Sequence, residues 1–504
     1  MTDSAKVPPQ PAGQGKSVVS GIGWNLIAVF GEQLSSLVAF VLIARILGPA
    51  DFGTVILSVA LIDIFITFVR SGTSEALIRA PEMNETLVGT GFWLNMGLSI
   101  VIAGTLYLLA PTFGAVFDLA DTVPLLQTMT LAFPIAAAGA IGEALLARKM
   151  AFAAIARRQV IGSFAGAVTA ILLAFLGYGV WAMIFQRLVI FSVGAGLSIW
   201  AARLVPPMRF SLSAAKEIAH YGGGITSINI LYRLQPRATE LVIGLLAAPV
   251  AVALFRAAYR IVDLVNQLPV QPIMRVLFPT LSRLVHTPEK FKSVLLKFME
   301  ALQTILLPLY VGVAYFSADI FHIMFGTKWD GAVPAFVILL IASGLRITFI
   351  LLGPATSAQG ALRRSTLFTL MDVGISIILM VIVAPWGIEA IAGSRVIAVI
   401  LLWPIAYYTI MRPIGLTFKD IAKTLEKPLI VSILLLLSLW LLDLVYASFG
   451  LTLNPILNFV VCALLNAAFV LLVARREIGE IMLVLGLQKS ASVMKAARFM
   501  RMLP

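Results

Sequence analysis

Apolar runs of about twenty residues or more follow one another along almost the whole chain and are separated by short polar connections. A helix needs about 20 mainly apolar residues to cross about 30 Å of hydrocarbon, and runs of that length recur from Gly21 to Ala474. The pattern predicts an all-α polytopic membrane protein. About fourteen transmembrane helices are expected, at 21–46, 53–71, 86–109, 123–147, 158–177, 179–201, 217–246, 250–282, 294–316, 333–352, 364–384, 387–411, 428–448 and 453–474.

The two ends of the chain depart from this apolar pattern. Residues 1–20 are polar and rich in proline and glycine, which is typical of a disordered tail rather than a signal peptide. Residues 475–504 mix basic with apolar side chains. This composition predicts either a basic amphipathic segment on the inner membrane surface or a solvated basic tail.

Lysine and arginine are concentrated in every second connection. Arg148 and Lys149 follow the fourth span and Arg412 follows the twelfth, whereas the intervening connections offer little beyond Arg45 and Lys328. The positive-inside rule then places both termini in the cytoplasm. The same asymmetry accounts for most of the net charge of +13, and it predicts contact with anionic membrane lipids rather than with nucleic acid.

The composition agrees with a membrane protein and offers little catalytic chemistry. Of the residues, 60% are hydrophobic and 12% are charged, whereas soluble domains have about 25% charged residues. The only cysteine, Cys462, excludes both a disulfide framework and a thiolate metal cluster. The three histidines show no metal-ligand spacing, and the common catalytic motifs do not occur. We therefore expect no cofactor, no metal, no catalytic residue and no enzyme activity.

The chain matches itself at an offset of about 200 residues. The matches are Gly179 with Gly387, Ala182 with Ala390, Arg187 with Arg395, Arg157 and Arg158 with Arg363 and Arg364, and Pro49 and Asp63 with Pro249 and Asp263. They predict two pseudo-symmetric six-helix lobes, 21–203 and 217–411, followed by two helices within 428–474. Because each lobe crosses the membrane an even number of times, the symmetry axis lies along the membrane normal, and a cavity between the lobes is expected to open alternately to each side.

Ionisable side chains lie inside the predicted spans, where each costs at least about 2.5–3.5 kcal/mol on insertion scales. Every cation among them is an arginine, whose guanidinium stays charged when buried and offers a planar fork to phosphate or carboxylate. The arginines are Arg187, Arg233, Arg237, Arg256, Arg260, Arg275, Arg346 and Arg395, and the acids are Glu32, Asp63, Glu143, Glu240, Asp263 and Asp372.

This excess of arginine over acid predicts a cavity built for an anion. The alternative for any single residue is an internal ion pair that holds helices together, for instance Arg260 with Asp263 or Arg237 with Glu240. The residues predicted to bind an anionic headgroup are Arg187, Arg233, Arg237, Arg256, Arg260, Arg346 and Arg395. The residues predicted as sites for a coupling ion are Glu32, Asp63, Asp263 and Asp372.

The connection between the first two spans carries a family resemblance. It reads Arg45-Ile46-Leu47-Gly48-Pro49-Ala50-Asp51-Phe52-Gly53, and it resembles the signature of polysaccharide exporters in the multidrug/oligosaccharidyl-lipid/polysaccharide flippase superfamily. Segments 177–182, 278–283 and 325–330 are also similar, and the colanic acid and succinoglycan exporters are the most similar branch. One departure is Ala247-Ala248-Pro249, where a glycine-bearing turn is typical.

The resemblance implies a flippase with a two-lobed fold and alternating access. Its substrate would be an undecaprenyl-pyrophosphate-linked oligosaccharide, moved from the cytoplasmic to the periplasmic leaflet of the bacterial inner membrane for exopolysaccharide, capsule or O-antigen synthesis. A monomer would be the transport unit, beside a polysaccharide polymerase and chain-length and export proteins. Two alternatives stay open. A cation-coupled drug antiporter of the same superfamily would need an acidic or aromatic cavity, and a membrane glycosyltransferase or polymerase would need a larger outer loop than 110–122 or 317–332.

Overall fold

The computed structural model describes residues 14–80, 82–117, 119–223, 226–449 and 455–484. Over these residues the protein is almost entirely helical and contains no strand. Its α-helices are α1 (Gln14–Leu47), α2 (Pro49–Arg79), α3 (Glu85–Val116), α4 (Val123–Met129), α5 (Ala132–Arg148), α6 (Phe152–Phe175), α7 (Trp181–Ala202), α8 (Leu212–Gly223), α9 (Thr226–Leu246), α10 (Pro249–Arg283), α11 (Pro288–Tyr315), α12 (Ser317–Phe325), α13 (Val333–Ala358), α14 (Leu362–Val383), α15 (Ile388–Ala406), α16 (Phe418–Phe449) and α17 (Pro455–Val484).

Many of these helices can cross a bilayer. Among the described residues, 10 helical segments are long and apolar enough to span a membrane, and Leu457–Val473 is a shorter apolar helix. The predicted all-α polytopic membrane fold is therefore confirmed, while the number of fourteen crossings stays a prediction. The helices α9 and α10 are not among the ten, because their arginines, acids and amides make them less apolar.

One predicted span is interrupted. The span at 123–147 divides into α4 and α5 at Thr130 and Leu131. Pro134 accounts for the break, because proline has no N–H to donate to the carbonyl four residues earlier, which belongs to Thr130. Residues 224–225, which separate α8 from α9 within the predicted span at 217–246, lie outside the described part of the chain.

Local sequence explains several helix ends. At the turn between α1 and α2, Gly48 has a φ of 80°, a conformation that glycine adopts without steric cost, and Pro49 occupies the first helical turn that follows. The helix α3 begins after Asn84, whose side-chain oxygen accepts a hydrogen bond from the Leu87 amide at 2.7 Å. This is an ordinary N-cap, which satisfies one of the free amides of the first turn.

The helices form two compact units, 1–245 and 246–504. The first unit holds α1 to α8 and nearly all of α9, and the second holds the rest of the described helices. The two lobes predicted from the sequence repeat are divided at a different position from these two units, because the repeat assigns 217–246 to the second lobe. The helix α9 belongs with the first unit because Arg237 binds Asp63 of α2, and because Gly244 packs against Leu57 of the same helix.

Small residues let three helices of the first unit approach closely. A Cβ atom on Gly139 of α5 would lie 2.7 Å from the Cα of Ala195 on α7, and one on Gly166 of α6 would lie 2.4 Å from Cγ1 of Ile190 on α7. Gly196, also on α7, has no neighbour within 4 Å of the corresponding position. Small residues at helix contacts are typical of membrane proteins, where close van der Waals packing holds helices together. The helices α5 and α6 therefore both pack backbone-close against α7.

Buried polar and aromatic contacts position α13 in the second unit. Gln303 of α11 donates a hydrogen bond through Nε2 to Oγ1 of Thr348 on α13 at 3.0 Å, and both side chains are buried. The ring of Phe349 lies 5.1 Å from that of Trp403 on α15, measured between centroids. These contacts hold the middle of α13, where Arg346 lies, against α11 and α15.

Candidate functional site

A cavity with a volume of about 210 Å³ lies inside the first unit, between α1, α2, α5, α6 and α7. Its charged lining residues are Glu32, Arg70, Glu143, Arg158 and Arg187. Small and polar residues form much of the remaining wall. The cavity therefore brings together three guanidinium groups and two carboxylates, and α2, α5, α6 and α7 belong to segments that are long and apolar enough to cross a membrane.

Glu143 binds two of the arginines that line this cavity. Its Oε2 accepts a hydrogen bond from Nη2 of Arg70 on α2 at 2.7 Å, and its Oε1 lies 2.7 Å from Nη2 of Arg158 on α6. Glu32 of α1 also acts electrostatically on Arg158. One carboxylate on α5 thus holds two arginines from two other helices.

A second ion-pair network continues from the cavity wall. Asp63 of α2 binds both Arg187 of α7 and Arg237 of α9, and its Oδ2 lies 2.8 Å from Nη2 of Arg237. Nη1 of Arg237 also donates to Oε2 of Glu240 at 2.8 Å, so the predicted pair of these two residues is present. The guanidinium of Arg187 lies 5.9 Å from the ring centroid of Phe191. The structure therefore unites three residues that the sequence singles out separately as site candidates.

Taken together, the two networks of the first unit are balanced in charge. Four arginines face four acids among the described residues, namely Arg70, Arg158, Arg187 and Arg237 with Glu32, Asp63, Glu143 and Glu240. An entering anion would therefore find guanidinium groups that are already positioned but are held by carboxylates.

The second unit contains its own arginine cluster. Arg346 of α13 binds Asp372 of α14 in a bidentate manner, with Nη1 donating to Oδ1 at 3.0 Å and Nη2 donating to Oδ2. Ser376 also donates to Oδ1 of Asp372, at 3.4 Å. Arg395 of α15 interacts electrostatically with Tyr259, Arg346 and Asp372. Asp372 is therefore the ion-pair partner of Arg346 and also acts electrostatically on Arg395.

The remaining predicted residues lie on α9 and α10. Asp263 accepts a hydrogen bond at Oδ2 from Nε2 of Gln267 at 2.7 Å, and Arg256 and Arg260 are half-buried on the same helix. The side chain of Arg233 lies outside the described residues. The assignment of all these residues to substrate or ion binding stays a prediction. Among the described residues, no group of three histidine, cysteine or acidic side chains could hold a metal ion.

The sequence did not assign Arg70, Arg158 and Glu143 to the site. Both arginines lie at the ends of predicted spans, Arg70 one residue before the end of 53–71 and Arg158 at the first residue of 158–177, so neither counts among the predicted intramembrane charges. The structure extends α2 to Arg79 and begins α6 at Phe152, so both arginines lie within helices. The signal was present in Glu143, because a carboxylate inside a span needs a partner of opposite charge.

Comparisons with known proteins identify relatives of this chain. A sequence model of the polysaccharide biosynthesis protein family matches residues 42–334. The succinoglycan biosynthesis transport protein ExoT of Rhizobium meliloti is 25% identical over 335 residues, which cover 66% of this chain and 68% of the relative. The lipopolysaccharide biosynthesis protein WzxC of Escherichia coli is 26% identical over 334 residues, again 66% and 68% of the two chains.

Among solved structures, the lipid II flippase MurJ in an inward closed conformation has the same fold. It superposes with a TM-score of 0.73 at 14% identity, over 89% of this chain and 97% of that chain. At this identity the likeness concerns the fold alone.

Proposed function

The chain belongs to the polysaccharide biosynthesis protein family, as its motifs predict, and on this premise we propose that it flips lipid-linked oligosaccharides across the bacterial inner membrane. The named relatives act in succinoglycan and lipopolysaccharide biosynthesis, and one of them is a transport protein. The observation that carries the proposal is the set of arginines around the cavity of the first unit. Guanidinium groups inside a membrane protein suit a phosphate-bearing headgroup, which binds them as bidentate forks.

In the proposed mechanism, the phosphate groups of the substrate replace the carboxylates as the counter-ions of the cavity arginines. Glu143 binds Arg70 and Arg158 and Glu32 acts on Arg158 as well, so that these two carboxylates offset the two arginines, and Asp63 binds Arg187. Placing an unpaired arginine in the membrane would cost at least about 2.5–3.5 kcal/mol of free energy, so the carboxylates stabilise the protein when no substrate is bound. A pyrophosphate can replace them as the partner of the arginines during transport and release them afterwards. The polyprenyl chain would stay in lipid.

Direction and energy follow from the predicted topology. With both termini in the cytoplasm, the substrate is loaded from the cytoplasmic leaflet and released in the periplasmic leaflet. An inside-negative potential favours outward movement of negative charge by about 2.3 kcal/mol per charge per 100 mV. An anionic headgroup would therefore be driven partly by voltage.

The other predicted residues take supporting roles in this proposal. Arg233, Arg256, Arg260, Arg346 and Arg395 would hold the headgroup at other stages of transport. Glu32, Asp63, Asp263 and Asp372 are the candidate sites for a coupling ion, and Asp63 and Asp372 already serve as counter-ions to arginine. A monomer would carry out transport without covalent chemistry, would contact anionic lipids, and would pass its substrate to a polymerase and to chain-length and export proteins.

Reconstitution tests the proposal. Full-length protein is placed in liposomes with a fluorescent lipid-linked oligosaccharide, and the accessibility of inner-leaflet substrate to an external reagent is followed over time. We expect Arg187→Gln to lower the flipping rate at least tenfold, and the exposed-site control Arg363→Gln to leave it unchanged. The double variant Arg256→Ala/Arg260→Ala tests two arginines of the second unit, and we expect it to lower the flipping rate as well.

Two outcomes would contradict this proposal at different levels. A wild-type flipping rate in the Arg187→Gln or Arg256→Ala/Arg260→Ala variant would show that the arginines concerned do not bind the headgroup. If the wild-type protein fails to flip the lipid-linked sugar but exports a cationic dye against an ion gradient, it is a drug antiporter instead.

A further inference from the structure

A second concave surface lies on the first unit, where α6 begins and α7 ends. We call it the interfacial groove, and it has a volume of about 780 Å³. Its charged lining residues are Arg157, Arg158 and Arg203, and its apolar walls include Ile161 and Trp200. Among the described residues, no carboxylate lines this groove. It therefore combines a purely cationic end with an apolar wall.

The backbone at Arg203 is unusual. This residue ends α7 in the left-handed conformation, with a φ of 50° and a ψ of 42°. Glycine is the common residue at such a helix end, and another residue costs roughly 1–2 kcal/mol there. The turn is nevertheless well formed, because the amide of Arg203 binds the carbonyl of Trp200 at 3.1 Å and the amide of Leu204 binds that of Ile199 at 3.0 Å. The chain thus keeps a guanidinium at the groove where glycine would be less strained.

The surroundings place the groove at the membrane surface. Trp200 is 78% exposed, and in the connection that follows α7, Val205 is 83% and Met208 87% exposed. This connection is ordered, because Nε1 of Trp93 on α3 donates a hydrogen bond to the carbonyl of Pro207 at 3.0 Å. Exposed apolar side chains on an ordered segment need a partner, and tryptophan prefers the boundary between lipid and water. The lipid interface provides that partner.

We propose that the interfacial groove binds the headgroup of an anionic phospholipid. Arg157 and Arg203 contact the phosphate, and the acyl chains run along Trp200 and Ile161. Basic pockets between transmembrane helices bind anionic headgroups, and the volume of the groove lies within the roughly 300–1,000 Å³ of ligand sites. A zwitterionic lipid fits less well, because its ammonium group would enter a site that holds three arginines.

Arg158 connects the interfacial groove with the interior of the first unit. It lines both the groove and the cavity, and it binds Glu143 on the cavity side. A lipid phosphate in the groove therefore attracts the same guanidinium that Glu143 holds. Lipid binding at the surface is in this way coupled to the charge network inside.

Native mass spectrometry of the full-length protein tests this site. The protein is titrated separately with phosphatidylglycerol, phosphatidylcholine and undecaprenyl pyrophosphate, and the dissociation constants are compared between variants. The test variant is Arg157→Gln/Arg203→Gly, in which glycine suits the left-handed backbone and preserves the helix end. The matched control is Arg363→Gln/Arg364→Gln, which removes the same charge from two exposed residues of α14 in the second unit.

We expect the test variant to bind phosphatidylglycerol about thirtyfold more weakly than the wild type, which corresponds to about 2 kcal/mol for two arginines. The control variant should bind it as the wild type does, and phosphatidylcholine should bind weakly to all three proteins. Equal binding of phosphatidylglycerol to the test variant and the wild type would overturn the proposal. So would a loss confined to undecaprenyl pyrophosphate, because the groove would then be an entry site for substrate.

Discussion

Replacing Asp372 with asparagine will destabilise the second unit strongly, because this aspartate balances two arginines at once. Its side chain is only 3% exposed, it binds Arg346 through both oxygens, and it acts electrostatically on Arg395. Asparagine keeps the size of the side chain but removes its charge. Arg346 would then lose its bidentate partner, and the repulsion between Arg346 and Arg395 would no longer be offset by the charge of Asp372.

The expected magnitude follows from these contacts. Removing one partner of a fully buried ion pair costs about 3–5 kcal/mol, and because Arg346 is 37% exposed we expect Asp372→Asn to cost about 2–3 kcal/mol. Arg346→Gln should cost less, about 1–2 kcal/mol, because Asp372 keeps Arg395 as a counter-charge. Adding Arg346→Gln to Asp372→Asn should therefore restore part of the lost stability, since it removes one of two repelling charges.

Unfolding in mixed micelles of dodecyl maltoside and dodecyl sulfate measures these differences. Tryptophan fluorescence reports the unfolded fraction, and Asp319→Asn, at an exposed acid of α12, is the matched control. The reasoning is refuted if the double variant is less stable than Asp372→Asn alone, or if Asp372→Asn unfolds like the control.

Three further predictions concern the first unit. Gly139→Val should destabilise it by about 1–3 kcal/mol in the same unfolding assay, because a larger side chain overpacks the contact with α7, whereas Gly196→Val should have little effect. Asn84→Ala removes the N-cap of α3 and should lower the unfolding free energy by about 1 kcal/mol; an unchanged value would show that the cap is not used. Trp93→Phe breaks the hydrogen bond to Pro207, so limited proteolysis should cleave the connection after α7 faster than in the wild type, and an equal rate would contradict the anchoring role.

The helices were predictable from sequence, whereas most partners of the charged residues were not. Apolar runs indicate helices because a bilayer requires them, and the pair of Arg237 and Glu240 follows from their spacing on one helix turn. By contrast, Asp63 and Arg187 are 124 residues apart and meet only because α2 and α7 both pack against α5.

Two further arginines of the cavity, Arg70 and Arg158, are not predictable because they lie at the boundaries of the predicted helices. Arg70 and Arg158 lie at the ends of the predicted spans 53–71 and 158–177, where a charged residue is typical of the membrane boundary and does not by itself indicate an internal site. The helices α2 and α6 continue past the apolar runs, and both arginines bind Glu143 of α5. The hydrophobic pattern of one helix does not show that its charged residue has a partner of opposite charge on another helix.

The glycine contacts of α5 and α6 with α7 provide a fixed reference for spectroscopy. Because backbone atoms touch there, the three helices cannot separate or slide without opening voids or creating clashes. Spin labels on their exposed ends will keep one set of distances through every stage of transport. Movements of α1 and α9 can therefore be measured against this three-helix frame rather than against the detergent or lipid around it.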